Sequence, residues 1–186
     1  MKDNRKYGSI MIDIETLSTH KNASIIEIAA VEFDEETGET GKTFDVLIDP
    51  NEWSKNDRHI DGSTIQWWMG QSANAQKRFM KNEDAKYKSL KDCLLDLKNF
   101  ISDTSVFVWG NGASFDISIL EDAYEYFNIE IPWKYYNVCD VRTIVKLNPK
   151  IKNTYKFIGV KHSAVDDCIY EIGYLTETLK TLTIKK

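Results

Sequence analysis

The sequence predicts an α/β fold in which one mixed sheet is flanked by helices. Three observations predict it. Runs rich in Ile, Val and Phe come early, at residues 9–15, 24–34 and 42–48. A helical apolar period follows in the middle of the chain. Strand-like and helix-like segments then alternate towards the C-terminus, as they do in sheets covered by helices.

The first run contains IMIDIETLS, residues 10–18. Ile10, Ile12 and Ile14 alternate with Met11, Asp13 and Glu15, so a pleated strand puts the isoleucines on one face and both acids on the other. Asp13 and Glu15 then sit about 7 Å apart. Like charges side by side repel, and a buried carboxylate is costly, so the pair needs a reason. The second and third runs are separated by EETGETGK, whose two glycines suit a hairpin loop.

The middle region, 51–99, reads as mostly helical. Its clearest part is SLKDCLLDLKNFI, where Ser89 and Asp92 have capping-box spacing. Leu90, Cys93, Leu94, Leu97, Phe100 and Ile101 follow at helical spacing and predict an amphipathic core helix. SVFVWG, 105–110, reads as a short buried strand, and NGASFDISILEDAYEYF as a loop running into a helix. Residues 137–140 predict another short strand, with Asp140 capping a helix near 141–147 rather than binding a metal. A long final helix closes the chain.

Composition bounds the function. The chain has 186 residues, 42% hydrophobic and 28% charged, which suits one domain with a core of its own. No apolar run reaches membrane-span length, and MKDNRKYGS lacks the apolar core of a signal peptide. A cytoplasmic protein is expected, in the host cytoplasm if the chain is phage-encoded. Cys93, Cys139 and Cys168 lie far apart and form no C-x-x-C unit, so zinc and a disulfide framework are disfavoured and reduced, mostly buried thiols are expected. The net charge of −5 argues against a nonspecific nucleic-acid coat. Yet residues 141–161 hold no Asp or Glu and carry Arg142, Lys146, Lys150, Lys152, Lys156 and Lys161. That stretch is either a phosphate-facing surface or a solvated loop.

Three acidic features carry chemistry. Hard dications take carboxylate oxygens, and two-metal phosphodiester cleavage needs several converging carboxylates. Asp13 and Glu15 supply two. KHSAVDDC, 161–168, opens the last helix with Ser163 and Asp166 at capping spacing. His162 and Asp167 would lie about 140° apart on a continuous helix, so they converge only if the chain bends at His162. An N-cap at Ser163 would supply that bend. The alternative is that both aspartates simply favour a helix N-terminus. Asp116, in GNGASFDISIL, opens a helix after a buried strand. Gly110 and Gly112 there let the backbone approach a ligand, and Asn111 could donate to one.

Asp13-Ile14-Glu15-Thr16, Asn111 with Phe115-Asp116, and His162-x₄-Asp167 together resemble the DEDDh branch of the DnaQ-like 3′–5′ exonucleases over nearly the whole chain. Thr64, Trp67, Trp68 and Gln71 resemble, more narrowly, the phage DexA-type exodeoxyribonucleases and their exoribonuclease relatives. Ser18 departs from the glycine of many relatives and bears on the loop that meets the 3′ end. The resemblance implies an RNase H-like fold whose first three strands are antiparallel, with residues 1–186 forming a single exonuclease domain. It implies that Asp13, Glu15, Asp116 and Asp167 hold two divalent cations, Mg²⁺ or Mn²⁺, with His162 as general base. Implied partners are the 3′ end of single-stranded DNA, slightly favoured, or RNA, and a second copy of the chain as a homodimer; no membrane is involved. Thr16, Leu17, Trp67, Asn111 and Phe115 are the expected substrate contacts. Leu17 would wedge between bases, with a core position as its alternative. Of the adjacent Trp67 and Trp68, one should be buried and the other, Trp67, should face the groove. The rival functions are an inactive nucleic-acid-binding module of the same fold and an RNase H-type endonuclease.

Overall fold

A computed structural model of the chain describes residues 7–79 and 87–183. The part of the helical expectation at 80–86 lies outside the described residues, as do residues 1–6 of the N-terminal stretch. The elements are β1 (Ser9–Thr16), β2 (Ile25–Phe33), β3 (Thr40–Ile48), α1 (Gly62–Met69), α2 (Ala73–Gln76), β4 (Tyr87–Lys88), α3 (Leu90–Phe100), β5 (Phe107–Gly110), α4 (Asp116–Tyr126), β6 (Val138–Asp140), α5 (Val141–Val145), α6 (Pro149–Thr154) and α7 (Ala164–Thr183).

The sheet is mixed, in the order β4-β3-β2-β1-β5-β6. β1 to β3 pair antiparallel, and β5 runs parallel to β1. The hairpin between β2 and β3 turns where the Asp34 carbonyl accepts from Gly38 N–H at 2.8 Å, with Gly38 at φ 79°. Asp34 also accepts the Thr37 N–H at 2.7 Å, which fixes the turn.

The pleat of β1 divides the core as its alternation predicts. Ile10, Ile12 and Ile14 bury with Ile28 and Ala30 beneath Leu94 and Leu97 of α3 and Ile117 and Leu120 of α4. Each such fully buried isoleucine contributes roughly 1.5–3 kcal/mol. On the other face, Met11, Ala29 and Val31 meet Ala164, Cys168, Ile172 and Leu175 of α7, an i, i+4, i+8, i+11 stripe. Asp13 and Glu15 share that second face and emerge where α7 begins.

The capping expectations hold at α3 and α5. Ser89 accepts the Asp92 N–H at 3.1 Å, and Asp140 accepts the Thr143 N–H at 2.8 Å. Two elements differ from expectation. The middle region contains short helices and also the edge strand β4, which exists by pairing with Leu47 and Ile48. The basic stretch contains α6, opened by Pro149 in its first turn. All three cysteines are free: Cys93 and Cys168 are buried and Cys139 is half-buried. Among the described residues no helix is long and apolar enough to cross a membrane.

Candidate active site

A groove of about 690 Å³ opens beside the C-terminal end of β1. Asp13 and Glu15 reach it from β1, Asp116 from the first turn of α4, and His162 and Asp167 from the start of α7. Donor atoms of Glu15, His162 and Asp167 all lie within 4.8 Å of one another. This is an oxygen-rich set with one imidazole, and it fits a hard divalent cation.

The carboxylates bear the marks of crowding and burial. Asp13 is driven well above the usual carboxylate range by burial and then by Asp116, Glu171, Glu15 and Asp167, which all repel its charge. Burial lifts Glu15 to about 8, although Arg78 opposes the shift. Burial also takes Asp116 to about 7, against hydrogen bonds from the backbone N–H groups of Ile14 and Asp116 itself. Asp167 is lifted to about 6 by burial, opposed by the His162 N–H. His162 moves the other way: burial, then Arg78 and Lys161, hold its pKa below the usual imidazole value.

The bend expected at His162 is present, and Ser163 stands immediately before α7, its carbonyl accepting the Asp167 N–H at 2.9 Å. His162 itself adopts the left-handed region, φ 63°. Two acids of the first turn of α7 reach back to fix this loop. Asp167 Oδ2 accepts the His162 N–H at 2.9 Å, and Asp166 Oδ2 accepts the Val160 N–H at 2.8 Å. The two adjacent aspartates therefore do different jobs. A Cβ on Gly159, at φ 126°, would stand 2.6 Å from Cγ of Asp166, so that clamp needs glycine.

The expected substrate contacts divide. Thr16, Trp67, Asn111 and Phe115 line the groove. Trp67 is 46% exposed, whereas Trp68 is 2% exposed and donates its indole N–H to the Thr16 carbonyl at 2.9 Å. The Trp67 ring stands edge-on to His162 with centroids 4.8 Å apart. Leu17 requires correction as a wedge. It is buried with Ile26, Trp68 and Ala75, and its N–H and carbonyl are tied to Ser24 and Asp61. Its apolar side chain has a packed pocket to fill, so it is not among the residues lining the groove. Of the basic stretch, Arg142 lines the groove, and Lys161 adjoins His162.

Sequence reasoning missed three charged residues. Glu171 is 4% exposed and lines the same groove; its signal was an acid one turn after Asp167. Glu27 lies directly across from Glu15 in the β1–β2 register, where like charges repel. Arg78 answers that repulsion. Its Nε donates to Glu27 Oε2 at 2.7 Å, both side chains being buried, and its guanidinium lies 5.3 Å from the Trp68 ring centroid. Glu27 Oε1 also accepts the Ala164 N–H at 3.3 Å, tying β2 to the start of α7.

Residues 8–179 match the family described as the Rv2179c-like 3′–5′ exoribonuclease domain. The chain is 26% identical over 205 residues to an exodeoxyribonuclease of Enterobacteria phage T4, covering 91% of this chain and 88% of the phage protein. The fold is similar to that of Escherichia coli exonuclease I in complex with single-stranded DNA, with a TM-score of 0.64 and 15% identity over 98% of this chain. The match spans 41% of that longer protein. It is similar too to the nuclease domain of 3′hExo, a DEDDh family member bound to rAMP, with a TM-score of 0.61, 16% identity and coverage of 94% and 93% of the two chains. With its mixed sheet and groove, this chain belongs to the Rv2179c-like 3′–5′ exoribonuclease domain family, and its fold is that of the 3′–5′ exonucleases it resembles.

Proposed function

We propose that the chain removes nucleotides stepwise from the 3′ end of single-stranded nucleic acid, DNA slightly ahead of RNA, by two-metal-ion hydrolysis with His162 as general base. One observation carries this reading: carboxylates from three separate elements converge with an imidazole in one groove. The DEDDh resemblance implies divalent metal ions. Asp13, Glu15, Asp116 and Asp167 would hold two of them, Mg²⁺ or Mn²⁺. When bound, such ions neutralise charge on the scissile phosphate and the leaving oxygen.

The protein's own groups do the rest. A pKa below the usual imidazole value leaves His162 unprotonated at neutral pH, as a base must be. It takes a proton from the attacking water at a ring nitrogen. Asp167 fixes the backbone from which that ring projects. Trp67 packs edge-on to the imidazole, and its exposed surface offers a platform for a base. Asn111 and Phe115 line the same groove, where the terminal nucleotide would lie.

The order of preference between DNA and RNA rests on the phage exodeoxyribonuclease; the family description leans towards RNA. A 5′-labelled DNA strand and an RNA strand of matched sequence, incubated with Mg²⁺, test the whole reading. A ladder shortening one nucleotide at a time is expected from both, faster on DNA. Internal cuts would instead indicate an endonuclease, and binding without cleavage an inactive module.

A further inference from the structure

Glu171 is a carboxylate that the four-acid reading does not use. It projects from α7 one turn beyond Asp167 and is 4% exposed, yet it lines the groove. The Asn111 side-chain amide donates to it, while its Oε2 has no partner among the described residues. Asn111 Oδ1 is likewise buried and unpartnered. The charged groups acting most strongly on Glu171 are Asp116, Asp167 and Lys152, and Glu171 in turn is among the strongest repulsions on Asp13. Two buried oxygens without donors, at the Asp13–Asp116 end of the groove, form a surface that accepts hydrogen bonds and offers none in return. Bulk water cannot fill that role once a nucleotide occupies the groove. The hydration shell of a dication can, because each of its waters is a strengthened donor.

We propose that Glu171, held by Asn111, is a positioning residue for the dication at the Asp13–Asp116 end, accepting a hydrogen bond from that ion's hydration shell through Oε2. This rests on the two-ion reading above. It assigns Glu171 no direct bond to the metal and no proton transfer.

The test counts Mn²⁺ bound to the intact protein by electron paramagnetic resonance, in the presence of adenosine 5′-monophosphate and without turnover. Glu171→Gln keeps an acceptor for Asn111 but replaces the free oxygen with a donor that opposes a bound water. Wild type should bind two ions. In Glu171→Gln one ion should weaken about 10–100-fold, the usual cost of losing an outer-shell partner, while the other is unchanged. Metal-free thermal stability should rise, since a buried acid is removed. That opposite pair of shifts is not what a merely structural glutamate produces. Glu171→Asp, which keeps the charge but withdraws it by one methylene, serves if the glutamine variant does not fold, with the same weakening expected. Two ions of unchanged affinity in the variant overturn the proposal alone. Fewer than two ions in wild type overturn the two-ion reading, and this proposal with it.

Discussion

Two groups of buried acids lie side by side on one face of the sheet, and they are balanced differently. Glu27 has a resident cation: Arg78 donates to it at 2.7 Å, and burial raises its pKa only to about 7 against that attraction. Asp13 is surrounded differently. The four charges that act most on it are all carboxylates. The first arrangement is a fixed structural pair that joins β2, the turn at Lys77–Phe79 and the start of α7. The second stores repulsion within a groove open to solvent. Arg78 and Arg142 offset part of the repulsion at Glu15 and Asp116, but the charges acting most on Asp13 are all negative, and that is where the proposed ions would bring the missing positive charge.

Breaking the Asp13 side should have the largest effect. Asp13→Asn should lower turnover by about 10³-fold or more, the equivalent of several kcal/mol of charge stabilisation. The same variant should melt higher than wild type without metal and lose the further gain that Mn²⁺ gives wild type, both visible in thermal melts. His162→Ala should cut single-turnover rates by about 10²–10⁴-fold while keeping Mn²⁺-dependent stabilisation, which separates base from ion holder. If turnover is near normal, the base lies elsewhere. On the fixed side, Arg78→Met should cost about 3–5 kcal/mol in urea unfolding, because it strands Glu27 as a buried unpaired charge. Added Mn²⁺ should not repair it; full repair by the ion would erase the distinction between the two groups. Smaller still, Trp67→Ala should weaken binding of a single strand by about 1–3 kcal/mol in a titration, since it removes only a stacking surface.

The mildest probe is pH. Glu15, Asp116 and Asp167 have folded pKa values of about 8, 7 and 6, all above those of the unfolded chain. Between roughly pH 4 and 8 the folded state therefore binds more protons than the unfolded one, and metal-free stability falls as pH rises. His162, whose pKa is lowered, contributes with the opposite sign but is one group against three. Thermal midpoints without metal should decline from pH 5 to pH 8, and the Mn²⁺ gain should grow over the same interval. A flat metal-free profile would mean that burial does not raise these acids' pKa values.

Much of this was legible in the sequence because it is periodic or local. The alternation around Asp13 places the isoleucines in the core, and Ser89 and Asp140 act as the caps their spacing predicts. What was hidden depends on distant partners. β4 is two residues long and has no pattern of its own; its partners in β3 make it a strand. Arg78 and Glu27 are separated by 51 positions, and a lone arginine in a short turn looks like solvent-facing charge. Glu171 resembles any acid on an amphipathic helix until Asn111 is seen against it. Leu17 could fill a pocket or meet a base, and only the arrangement of Trp68 and Ala75 shows which side it takes.

The bond from the His162 N–H to Asp167 Oδ2 has a consequence for genetics as much as for chemistry. Oδ2 of Asp167 accepts from the chain that carries the imidazole, and the same carboxylate belongs to the groove's set with Glu15 and His162. Damage to Asp167 would then be felt twice, as a weaker grip on an ion and as a drifting base. Lesions at 162 and 167 share that second effect, so their costs should not add, and the doubly altered protein should be little worse than the poorer of its parents.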